Sequence, residues 1–127
     1  MIVVDASAAA AALLNNGPAR QMLAIERLQT LHLVDSEIAI SLRRLVRSRH
    51  LTEADGWQAL STWRRLSVTR YPTYGLLQRI WNLRDNMSGY DAGYVALAET
   101  LGCGLITADS RLSNAARIEC PVIVVPR

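Results

Sequence analysis

Apolar positions in this chain fall into two kinds of pattern: short unbroken runs, and longer stretches where they recur every three or four residues. Ile2 to Val4, Leu31 to Val34, Leu105 to Thr107 and Val122 to Val125 are runs of the first kind and predict short strands, with Ser67 to Arg70 a further candidate. The last two apolar runs read as strands buried on both faces. The periodic stretches predict helices. An alanine-rich one follows Ser7 to Leu14, and Asn15-Asn16-Gly17-Pro18 stops it and opens another, to about Leu28. A third is capped by Asp35 or Ser36 and carries Ile38, Leu42, Leu45 and Val46 on one face, with Glu37 in its first turn. Thr52 with Asp55 has capping-box spacing for a helix from Glu53 to Leu66, and Pro72 introduces one to about Arg84. Ser88 with Asp91 repeats the capping-box spacing before Ala92, Val95, Ala96 and Glu99, and Gly102 ends that helix.

Strands that alternate with helices imply parallel pairing through helical crossovers, hence a three-layer α/β/α sandwich. At 127 residues the chain is expected to form a single domain over 1–127. Ligands of such sheets bind beyond the carboxyl ends of the strands, near the point where strand order reverses. That rule gives two acids a common address, because Asp5 follows the first strand directly and Asp109 follows the strand ending at Thr107. Glu37 and Asp91 lie in first turns of helices that start near a sheet edge, so four carboxylates are candidates to converge.

Each acid also has a local explanation. Asp5 suits a turn, Asp91 is the far member of a capping box, Glu37 complements a helix dipole, and Asp109 can cap the segment containing Leu112. If they do converge, mutual repulsion and desolvation demand a compensating charge. An oxygen-only set without histidine or cysteine suits magnesium or manganese better than zinc or copper.

Composition narrows the rivals. All 14 basic residues are arginine, against 11 acids, giving a net charge of +3 and a pI near 9.3. The absence of lysine argues against receiver domains and haloacid-dehalogenase-type phosphatases, which hold a phosphoryl group with one. "VVDASAAAA" lacks the glycine-rich turn that a dinucleotide or P-loop site needs. Arg43, Arg44, Arg47 and Arg49 are candidates to hold an RNA backbone through bidentate phosphate contacts, though such a run also makes an ordinary solvated helix face. Trp57, Trp63 and Trp81 are expected to pack in the core or at a subunit interface, with base stacking the alternative. His32, His50, Cys103 and Cys120 are isolated and are expected to carry no chemistry. The longest apolar stretch, Ala8 to Leu14, is far too short to span a membrane, and the start lacks a secretory signal, so a cytoplasmic location is expected.

"VVDAS", "VDSEIAISLRRL", "YDAGYVALAETLG" and "LITADSRL", in that order and over nearly the whole length, resemble the PIN domain, and more closely the VapC ribonuclease toxins of type II toxin–antitoxin systems. The resemblance implies a five-stranded parallel sheet in the order 3-2-1-4-5, a homodimer, a cognate antitoxin, and RNA cleavage at a magnesium or manganese site without a covalent intermediate. Carried over, it makes Asp5, Glu37, Asp91 and Asp109 the catalytic acids. Asp5, Asp91 and Asp109 would hold metal, Ser7 and Thr107 would support the first and last of these, Asp5 and Asp109, and Asp35, Asn86 and Ser88 would be neighbours. The stretch from Thr52 to Leu83 matches no motif. A nuclease of this family acting without an antitoxin, or a non-catalytic binding module on the same fold, are the alternatives.

Overall fold

In the computed structural model, which describes Met1–Arg127, five parallel strands form one sheet: β1 (Ile2–Val4), β2 (Leu28–Leu31), β3 (Val68–Tyr71), β4 (Gly104–Thr107) and β5 (Val122–Val124). Their order is β3-β2-β1-β4-β5, as the resemblance implies. Six helices complete the chain: α1 (Ala6–Leu14), α2 (Pro18–Ile25), α3 (Val34–Arg47), α4 (Glu53–Arg65), α5 (Leu77–Asn82) and α6 (Gly89–Leu101). α1 to α4 pack on one another as one layer and α5 on α6 as another, which gives the α/β/α sandwich. None of these helices is long and apolar enough to cross a membrane.

The second strand departs from the expectation. It lies at Leu28–Leu31, not Leu31 to Val34, and α2 stops at Ile25. Polar residues hide it, because Gln29 and Thr30 are buried with their hydrogen bonds satisfied inside the sheet. Thr30 Oγ1 donates to the Val4 carbonyl at 2.8 Å, and Gln29 Oε1 accepts from the Tyr71 hydroxyl at 2.7 Å. Val34 therefore belongs to the first turn of α3, and neither Asp35 nor Ser36 caps it. The helix expected from Pro72 to Arg84 is shorter and broken, a 3-10 turn at Tyr74–Leu76 leading into α5. β5 is an edge strand with Ile123 and Val124 partly in solvent, so only β4 of the pair is a buried strand.

Other local signals hold. Thr52 and Ser88 accept from the Asp55 and Asp91 backbone N–H groups at 3.1 Å each, and Gly102 closes α6 in the left-handed conformation with φ +66°. Gly93 matters for placement, because a Cβ there would lie 2.9 Å from Leu31 Cδ1. Its absence lets α6 sit close over β2, and that close seat fixes where Asp91 and Tyr94 emerge. Cys103 and Cys120, both free thiols, each precede by two residues the paired positions Leu105 and Val122 at the starts of β4 and β5.

Candidate metal centre

Strand order reverses between β1 and β4, and the first residues beyond both strands meet there. Asp5 ends β1 and caps α1: its Oδ1 accepts from Ala8 N at 2.9 Å and from Ser7 Oγ at 2.7 Å. The Ser7 hydroxyl in turn accepts from Ala108 N at 2.9 Å and lies 3.2 Å from Thr107 Oγ1. Thr107 Oγ1 accepts from Asp109 N at 3.1 Å. A short chain of hydroxyls thus ties the end of β1 to the end of β4, with an aspartate at each side.

Asp5, Glu37, Asp91 and Asp109 all line one cavity of about 840 Å³. Burial pushes the Asp5 carboxyl pKa up, against hydrogen bonds from Thr107, Ala8 and Ser7, and the Asp91 charge adds to the rise. Burial also raises Glu37; the Tyr94 hydroxyl opposes that shift, while the charges of Asp5 and Asp91 reinforce it. Asp91 is raised by burial and then by the charge of Asp109. Each of the four therefore bears on another's ionisation or feels another's charge. Ion pairs do not relieve this, since Asp5, Glu37 and Asp91 have no cationic partner within 4.0 Å. Asp109 differs: Arg111 grips both its oxygens, with the closest contact at 2.6 Å, and holds its pKa below the usual carboxylate range.

As placed, no three of these side chains stand close enough together to hold an ion. Two of the four are engaged elsewhere, Asp109 by Arg111 and Glu37 by a 2.5 Å hydrogen bond from the Tyr94 hydroxyl to its Oε1. The donor chemistry nevertheless fits a hard divalent cation: oxygen ligands, partly desolvated, three of them uncompensated. Another groove of about 610 Å³, between α1, α2 and α4, contains only Asp55 as an acid and offers no such donor set.

Other candidates scatter. Of the four arginines, only Arg44 lines the acidic cavity; Arg43 and Arg47 border a separate groove beside Trp57. Arg49 occupies the left-handed turn that ends α3, with φ 62°. Asp35 faces a different neighbourhood, accepting from Trp63 Nε1 at 2.7 Å and from Arg70 at 2.8 and 2.9 Å. Asn86 does not line the cavity, and neither does Ser88, which caps α6. Trp63 is a core residue as expected, whereas Trp57 and Trp81 are exposed at 57% and 67%, beneath the guanidinium groups of Arg64 and Arg84. His32 and His50 are exposed.

Three lining residues escape motif reading. Tyr90 and Tyr94 flank Asp91, and Tyr94 was legible in principle, because three residues along a helix returns to the same face. Arg127 at the chain end gives no periodic signal.

Residues 2–118 match the family model of the PIN domain. The chain belongs to the PIN family. Within it, this PIN domain is a VapC ribonuclease. It is 65% identical over 127 residues, covering all of both chains, to VapC ribonuclease Mb0985 of Mycobacterium bovis and to ribonuclease VapC9 of Mycobacterium tuberculosis. It is 38% identical over 128 residues to ribonuclease VapC1 of Mycobacterium tuberculosis, covering 97% of this chain and 96% of that one. Two crystal structures share its fold. PAE2754 of Pyrobaculum aerophilum superposes with a TM-score of 0.73 at 24% identity, over 94% of this PIN domain and 82% of that chain. VapC20 of Mycobacterium tuberculosis, a sarcin–ricin loop cleaving toxin, gives 0.65 at 20% identity over the whole of both.

Proposed function

We propose that this VapC ribonuclease is the toxin of a toxin–antitoxin pair and hydrolyses RNA phosphodiester bonds with magnesium or manganese held by its own carboxylates. The observation that carries the proposal is the charge deficit: three half-buried or buried carboxylates share one cavity and none of them forms an ion pair. Asp5, Asp91 and Asp109 would hold the ion, with Asp109 becoming available once the exposed Arg111 releases it. When bound, the ion supplies Lewis acidity and lowers the pKa of a water near the scissile phosphate. Ser7 and Thr107 fix the two aspartates at the strand ends, while Glu37 orients the attacking water. Arg44 and Arg127, on the same cavity, supply positive charge for the RNA backbone.

A cognate antitoxin and a second copy of the chain are the partners of the proposal. Exposed Tyr74, Leu77 and Trp81, on the 3-10 turn and α5, favour a homodimer, which sedimentation tests directly.

The catalytic part is tested by incubating the purified chain, freed of any co-purifying protein, with transfer and ribosomal RNA in magnesium, in manganese and in EDTA. Cleavage that needs a divalent ion and disappears in Asp91→Asn is expected. Cleavage in EDTA, or full activity of that variant, overturns the metal site.

A further inference from the structure

Tyr94 is almost wholly buried, yet its hydroxyl reaches out of α6 to Glu37 Oε1 on α3, 57 residues away in sequence, at 2.5 Å. Both side chains line the acidic cavity. Glu37 carries a long side chain with three rotatable bonds, and the same cavity contains Asp5 and Asp91. No ion pair and no second hydrogen bond holds it. One hydroxyl alone therefore fixes where its carboxylate sits.

We propose that Tyr94 is a positioning residue for RNA hydrolysis: by pinning one oxygen of Glu37 it keeps the other free to orient the attacking water. This rests on the reading of Glu37 given above. A competing explanation is that a buried tyrosine hydroxyl needs an acceptor and Glu37 merely supplies one. The two differ in what loss of the hydroxyl does to turnover.

The test compares Tyr94→Phe, Glu37→Gln and the double variant on the RNA that the parent chain cleaves. Thermal midpoints confirm folding, and manganese affinity is read separately, without RNA, from the paramagnetic resonance signal of free Mn²⁺. Tyr94→Phe keeps the buried ring, and its kcat is expected to fall about tenfold, the scale of a lost supporting contact, with KM and manganese affinity within about twofold of the parent. Added to Glu37→Gln, the same change is expected to cost nothing further, since its effect runs through Glu37. Full turnover in Tyr94→Phe beside an impaired Glu37→Gln overturns the Tyr94 proposal alone. Independent, multiplicative losses in the double variant overturn it too, as does manganese affinity that falls in step with kcat. Full activity of Glu37→Gln overturns the reading of Glu37 and the proposal together.

Discussion

Asp35 and Glu37 stand two residues apart in the first turn of α3 and live in opposite electrostatic worlds. Burial works to raise the pKa of Asp35, but hydrogen bonds from Arg70 and Trp63, with the Arg70 charge, win and hold it below the usual range. That carboxylate is a staple: it joins α3 to α4 and β3 with every charge answered. Glu37 turns instead into a cavity where Asp5 and Asp91 raise it further. The difference teaches how to tell structural acids from working ones in this fold. Asp35 is answered in full by its neighbours, whereas Asp5, Glu37 and Asp91 are left in deficit; Asp109 stands between them, answered by an Arg111 that is itself exposed.

Substitutions that remove a carboxyl charge should therefore have opposite consequences in the two regions. The largest effect is expected for Asp5→Asn, which should lower RNA cleavage by about a thousandfold, the scale seen when a preorganised electrostatic group is lost. Asparagine caps helices as well as aspartate does, so α1 should persist. In EDTA the variant should melt no lower than the parent, because a buried, uncompensated charge has gone; a drop in midpoint would show that Asp5 is a staple after all.

Next in size is the response to metal. Saturating manganese, at a hundred times its Kd, should stabilise the parent by roughly 2.7 kcal/mol and leave Asp5→Asn nearly unmoved. Scanning calorimetry with and without the ion reads this, and an equal shift in both proteins would place binding elsewhere.

Asp35→Ala should instead cost stability, about 2 kcal/mol, by leaving Trp63 Nε1 and Arg70 without their acceptor, a figure kept low because the carboxylate is 46% exposed. Chemical denaturation measures it. Cleavage per folded molecule should change far less than in Asp5→Asn.

The smallest effect is in pH dependence, and its sign separates the regions. The Asp5, Glu37 and Asp91 pKa values are raised on folding, so in EDTA their contribution to stability is fully present below the unfolded value near 4 and is lost as pH rises through the folded values. Asp35 is lowered, so its contribution is present above its unfolded value of 3.8 and is lost as pH falls through the folded one. The midpoint of Asp5→Asn relative to the parent should accordingly climb from pH 4 to pH 7, whereas that of Asp35→Asn should sink as pH rises towards 3.8 and stay level above it. Parallel curves would erase the distinction.

The sequence legibly placed Asp5 and Asp109, because each follows an apolar run that could only be a buried strand, and parallel topology brings strand ends to one edge. Glu37 and Asp91 were found through their first-turn positions. What stayed hidden is what tertiary contacts decide. Gln29 and Thr30 look like loop residues until Tyr71 and the Val4 carbonyl satisfy them. β5 reads as buried because Val122 to Val125 are apolar, and only sheet order shows it to be an edge. Arg43, Arg44, Arg47 and Arg49 form one cluster in sequence, but helical rotation and the turn at Arg49 send them to different surfaces.

Sheet order also sets a timetable. β1 lies in the middle, between β2, made soon after it, and β4, which begins at Gly104. A ribosome emitting this chain has made Asp5 and Glu37 well before Asp91 and Asp109, and the hydroxyl link from Ser7 to Thr107 spans 100 residues. Contacts of such separation form late, after the loop between them has been closed. A nascent or prematurely ended chain thus lacks Thr107 and Asp109 and the link between the ends of β1 and β4, so the cavity is completed only as synthesis nears its end.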